Sequence, residues 1–167
     1  MENADGVYER LRPPGPTPAD EICGCPAGTP VKIAGGLGFN PIQCLQCNGE
    51  VPPERLELDR ELADAVANWY WTYGAIDALE LQSGEYEEWA RAELLNPDSP
   101  PNQEGLELVR RLNELVPTYF WFWQSESDED WQPPSSCPVC GGVLVAHDSG
   151  LFPQLLCERD RVVVVGG

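Results

Sequence analysis

Seven cysteines stand in a chain that has a single histidine, and their grouping points to metal chemistry. Cys44 and Cys47 form one Cys-x-x-Cys, Cys137 and Cys140 form a second within Cys-Pro-x-Cys-Gly, and Cys23, Cys25 and Cys157 complete the set. Two sulfurs on a tight turn are half of a tetrahedral zinc site, and a second pair about 15 to 20 residues away closes a zinc ribbon. An odd number of cysteines argues against a disulfide framework and for thiolate ligands in a reducing compartment. The N-terminal sequence has no signal-type apolar segment, and no run has the roughly 18 apolar residues of a membrane span, so the expected location is the cytoplasm.

In the N-terminal half, Cys23, Cys25, Cys44 and Cys47 read as Cys-x-Cys, eighteen intervening residues, then Cys-x-x-Cys. Four sulfurs at that spacing make a closed structural zinc site with no position left for water activation. Two alternatives stand beside this reading. One of Cys23 and Cys25 is a bystander thiol, or one of them is lent to the C-terminal cysteines.

Catalytic chemistry finds little footing. A cysteine nucleophile would need a metal-free thiol near His147, and every cysteine has a metal role open to it. A redox Cys-x-x-Cys starts a helix after a strand, whereas Cys137-Pro138-Val139-Cys140 leads through glycines into a strand-like run. Gly35-Gly36-Leu37-Gly38 lacks the lysine and helix of a phosphate loop. The expectation is a non-enzymatic protein.

The net charge of −18 is unevenly placed. Residues 48–131 hold 20 acidic against 5 basic side chains, a net of −15, while residues 1–47 contribute −2 and residues 132–167 contribute −1. Phosphate-backbone binding draws its affinity from clustered Lys and Arg, and this chain has one lysine and nine dispersed arginines. An acidic field of this size attracts a basic protein partner or serves solubility alone.

The elements that must position the cysteines follow from the periodicity. Residues 1–20 read as a mobile lead-in, residues 21–53 as an N-terminal zinc-ribbon-like module with a short strand near residues 29–34, and residues 54–131 as an acidic helical region. There Leu56, Leu62, Val66, Trp69, Tyr70, Tyr73, Ile76 and Leu79 recur at helical spacing, with a break expected near Gly74. Ser83 looks like the N-cap of a second helix carrying Trp89, Ala92 and Leu95. After a linker through Pro100 and Pro101, a third is expected from Gln103 to Leu115, with Leu106, Val109, Leu112 and Leu115 apolar and Pro117 as its stop. The aromatic run 118–123 reads as a core strand rather than a stacking platform for bases, because acidic residues follow it. Residues 132–167 form a C-terminal zinc-ribbon-like module.

The order and spacing of several of these residues carry a resemblance. They are Cys44, Cys47, Val51 and Pro52; Trp71, Tyr73, Asp77 and Leu79 in the aromatic helix; Gly84 and Glu87; Gly105; Tyr119, Phe120 and Trp121; and Cys137, Pro138, Cys140, Gly141 and Cys157. With them, the stretch from Cys44 to about Val163 resembles an uncharacterised bacterial family of zinc-ribbon-containing proteins with a suggested nucleic-acid-binding role. The resemblance implies a cytosolic zinc protein. Where that family closes its C-terminal ribbon with Cys-x-x-Cys, this chain has Cys157-Glu158-Arg159-Asp160. Asp160 thus stands at the fourth ligand position beside Cys137, Cys140 and Cys157, and a carboxylate can ligate zinc there. His147 is the competing ligand, although its place beside the turn at Asp148, Ser149 and Gly150 favours an exposed side chain.

The resulting expectation is an α+β protein: a helical middle of about three helices plus an aromatic strand, with zinc-dependent β modules at both sequence ends. Its function is expected to be binding without chemistry. The favoured form is an acidic binder of a basic protein, such as an inhibitor or immunity protein that occupies the phosphate-binding surface of a nuclease toxin. The runner-up is a nucleic-acid-binding ribbon contacting its ligand through Lys32, Arg159 and Arg161.

Overall fold

The structure is a computed structural model that describes residues 17–36, 40–126 and 129–167; most of the expected lead-in, and Leu37 and Gly38, lie outside these. Six short strands form one mixed sheet: β1 (Val31–Ile33), β2 (Ile42–Cys44), β3 (Thr118–Trp121), β4 (Val145–Asp148), β5 (Pro153–Cys157) and β6 (Val162–Val165), in the order β2-β1-β3-β6-β5-β4. β1 and β2 are antiparallel, β3 runs parallel to both β1 and β6, and β4, β5 and β6 form an antiparallel meander. The strands contributed by the two cysteine-rich ends therefore meet across the aromatic strand in a single sheet.

Strand alternation sorts the side chains into two layers. Val31, Ile33, Ile42, Cys44, Phe120, Phe122, Val162, Val164 and Cys157 join the core that the helices cover. Tyr119, Trp121, Leu45, Leu156 and Val163 gather in a smaller cluster on the opposite face. All four residues of β3 are buried, which removes the stacking-platform alternative.

Helix α1 (Arg60–Gln82) starts at Asp59, whose side chain accepts a hydrogen bond from the Leu62 N–H at 2.7 Å. Its buried stripe of Leu62, Val66, Trp69, Tyr73 and Ile76 follows the predicted periodicity, and it runs unbroken through Gly74. Phe120 of β3 sits edge-on to Trp69 and Tyr73, with centroids 6.0 and 6.3 Å away. Each such ring, fully buried, contributes roughly 1.5–3 kcal/mol.

Helix α2 (Glu87–Leu95) departs from expectation. Ser83 closes α1 as its C-cap residue, while its hydroxyl accepts from the Tyr86 N–H at 3.0 Å. The buried residues of α2 are Ala90 and Leu94, so Trp89 and Leu95 face outward. Arg91 ties α2 to the buried Glu80 of α1 at 2.9 Å.

Helix α3 (Pro100–Leu112) begins on the two prolines read as linker. Proline suits the first helical turn because its missing N–H would have no partner there. Leu115 lies beyond the helix and is exposed. Asn102 donates to the terminal carbonyls of α2, to Leu94 at 2.9 Å and Asn96 at 2.8 Å. Gly105 brings α3 against β3, since a Cβ there would stand 2.4 Å from Phe120. Asn113 then bonds both Val109 and Thr118, which fixes the passage from α3 into β3.

Candidate metal centres

The first centre grows from β2. Cys44 ends that strand and Cys47 follows in a turn closed by the Asn48 N–H donating to the Cys44 carbonyl at 3.0 Å. Asn48 takes the left-handed conformation, φ 57°. Cys23 is delivered by backbone pairing, its N–H bonding the Glu50 carbonyl at 2.8 Å, and the Cys25 N–H turns back to the Cys23 sulfur at 3.3 Å. Arg55 clamps the same turn by donating to the Cys23 and Cys25 carbonyls at 2.5 and 2.6 Å. The ligand atoms of Cys23, Cys25, Cys44 and Cys47 all lie within 4.8 Å of one another. Both Cys23 and Cys25 belong to this group, and neither is lent to the C-terminal cysteines.

The second centre repeats the device twice. Cys137 and Cys140 sit on a turn closed by the Gly141 N–H donating to the Cys137 carbonyl at 2.8 Å, with Gly141 at φ 68°. Cys157 ends β5, and three residues later comes Asp160, followed by Arg161 at φ 54°. Asn48, Gly141 and Arg161 thus put a left-handed residue directly after Cys47, Cys140 and Asp160, so Asp160 occupies in the third turn the place that Cys47 and Cys140 hold in the others. A left-handed arginine is costly for an L-residue, so its presence here marks a turn that the surroundings impose.

Cys137, Cys140, Cys157 and Asp160 form the second group within 4.8 Å. The Cys140 and Cys157 sulfurs are 3.7 Å apart, and Asp160 Oδ2 lies 3.9 Å from Cys137 and 3.8 Å from Cys157. A tetrahedron with Zn–S bonds of about 2.3 Å has edges of about 3.8 Å. The donor set and spacing fit zinc. His147 belongs to neither group; it is half-buried on β4, and its Nε2 is buried without a hydrogen-bond partner among the described residues, against the expectation of an exposed side chain.

The electrostatics are those of acids crowded round a point. Burial pushes the Cys44 thiol up to about 12, with Cys23 and Cys47 adding to the shift. The Asp160 carboxylate is the main cause of Cys140 being pushed up to about 12. At Cys23 burial acts upward, but the Cys25 N–H and the Cys44, Cys47 and Arg55 side chains outweigh it and bring the thiol to about 7. A divalent cation would take the place of the shared protons in both clusters. Filled in this way, each centre would engage all four of its ligands on the ion.

Lys32 requires a correction. Expected as a nucleic-acid contact, it is 1% exposed, points to the face of the sheet away from the helices, and lies over the Trp121 ring at 4.5 Å. Its ammonium donates to Asn48 Oδ1, which also accepts from Gln154 at 3.1 Å. Burial pulls it down to about 8, while Cys44 and Cys47 act the other way. Lys32 therefore holds the first turn against the C-terminal hairpin, helped by Gln46 donating to the Asp148 carbonyl at 3.2 Å. Neither this network nor the Arg55 clamp is marked by any spacing in the sequence.

A family model described as a domain of unknown function (DUF2310) matches residues 38–123, just over half of the 167 residues. The chain belongs to the DUF2310 family. The DUF2310 match takes in Cys44, Cys47, β2, the three helices and β3, while Cys23, Cys25 and the second centre fall outside it. No curated protein and no solved structure matches the chain. No helix among the described residues is long and apolar enough to cross a membrane.

Proposed function

We propose that this is a non-enzymatic zinc protein whose two closed centres brace the sheet while the helical face captures a basic protein partner. The observation that carries the reading is the surface of α1 and α2. Tyr86 and Trp89, 53% and 51% exposed, line an apolar hollow of about 480 Å³ with Leu79. Glu85 and Glu88 stand exposed beside it, on the segment that carries most of the negative charge. Exposed aromatic anchors within a charged rim are the composition of a protein interface. The acidic rim selects a basic partner and speeds its approach. An inhibitor or immunity protein against a basic toxin is the concrete form of this reading. The alternative, a nucleic-acid-binding ribbon, keeps only Arg159 and Arg161 of its three expected contacts.

The test is affinity capture on the immobilised full chain, with bound proteins identified and then purified for kinetics. The expected result is a basic protein whose association slows steeply with salt, because exposed charges are screened beyond about 10 Å at 0.1 M. Tyr86→Ala with Trp89→Ala should abolish capture, and Glu85→Lys with Glu88→Lys should slow it, without lowering the melting temperature. Recovery of nucleic acid alone, or capture indifferent to all four changes, would reject the reading.

A further inference from the structure

Away from the aromatic hollow, a cavity of about 460 Å³ opens between α3 and the last turn of the second centre. Three arginines line it, Arg110 from the end of α3 and Arg159 and Arg161 from the turn between β5 and β6. In a chain with net charge −18 and nine arginines, that convergence runs against the general field.

The three differ in how they are held. Arg161 donates to the Tyr119 hydroxyl at 2.8 Å and to Glu158 at 2.9 Å, and Arg110 pairs with Glu107. Arg159 has no hydrogen-bond or ion-pair partner among the described residues, whereas Arg55, Arg60, Arg91 and Arg111 each have one. Asp160 is the acidic side chain of the wall, and its Oδ2 is turned towards the Cys137 and Cys157 sulfurs. The remaining wall includes Leu106, Val109 and Val139, which are apolar.

We propose that this cavity binds a phosphomonoester, its oxyanion held by Arg159, Arg161 and Arg110 and its organic body against the apolar wall. Guanidinium forks match the geometry of a phosphate and form charge-assisted hydrogen bonds to it. The volume is that of a small-molecule site. The proposal goes beyond partner capture and uses none of the residues of the aromatic hollow.

Calorimetric titration of the full, zinc-loaded chain with inorganic phosphate and with phenyl phosphate, at constant ionic strength, tests it. Saturable binding of one ligand per chain is expected, with phenyl phosphate the tighter. Arg159→Ala should weaken it about tenfold or more, the loss of a charged hydrogen bond, and Arg110→Ala should weaken it as well. Arg111→Ala, one residue outside the cavity, should leave it unchanged. Arg159 is exposed and partnerless, so its replacement leaves the fold intact. Absence of saturable binding, affinity that survives both cavity variants, or equal affinity for the two probes would overturn the proposal. So would binding of a nucleic-acid strand without any response to phenyl phosphate.

Discussion

The second centre rests on one carboxylate in a place where the two other turns of the same shape have sulfur. Asp160 Oδ2 stands within 3.9 Å of two cysteine sulfurs, while His147 belongs to neither ligand cluster. Asp160→Ala should therefore lose the zinc of this centre and lower the melting temperature by several degrees, whereas His147→Ala should leave the zinc content unchanged. Asp160→Cys should keep the ion or hold it more tightly, since thiolate is the commoner ligand of a closed site. Zinc per chain, with competition against a chromophoric chelator, reads all three. The reverse ranking of the two alanine variants would move the ligand role to His147.

At the scale of elements, two glycines separate packing from propensity. In α3, a Cβ on Gly105 would stand 2.4 Å from Phe120, a ring already set against Trp69 and Tyr73; in α1, a Cβ on Gly74 would meet nothing within 4 Å. Alanine gains up to about 1 kcal/mol over glycine inside a helix, and overpacking costs about 1–3 kcal/mol. Gly74→Ala should raise stability by about 0.5–1 kcal/mol and Gly105→Ala should lower it by about 1–2 kcal/mol in a denaturant titration. The same balance explains what the sequence could show. The stripe from Leu62 to Ile76 was legible because one long helix keeps its phase, and the cysteine sets were legible because metal ligands have fixed spacing. In α2, the short helix begins at Glu87 and turns Ala90 and Leu94 inward, so a pattern anchored on Trp89 and Leu95 chose the wrong face. The joining of both cysteine-rich ends into one sheet was not legible, because β1 and β6 reach β3 through parallel pairings between distant segments. Nor was Lys32, whose burial depends on Trp121 and Asn48 arriving from two other parts of the chain.

For the molecule as a whole, both candidate centres contribute cysteines to the core that the helices cover, at the ends of β2 and β5. Strands of three to five residues supply few ladder hydrogen bonds, so the ions are expected to hold the sheet's two flanks and, through it, the surface that the helices present. Structural zinc in small domains contributes on the order of 10 kcal/mol to folding, more than such strands provide. The most direct measurement is elemental analysis joined to thiol titration of the purified chain before and after strong chelation. The expectation is two zinc ions per chain, one for each four-ligand group, with thiols that react only once the metal is removed and a melting temperature that falls with it. A folded, metal-free protein whose seven cysteines all titrate freely, with a melting transition indifferent to chelator, would contradict it.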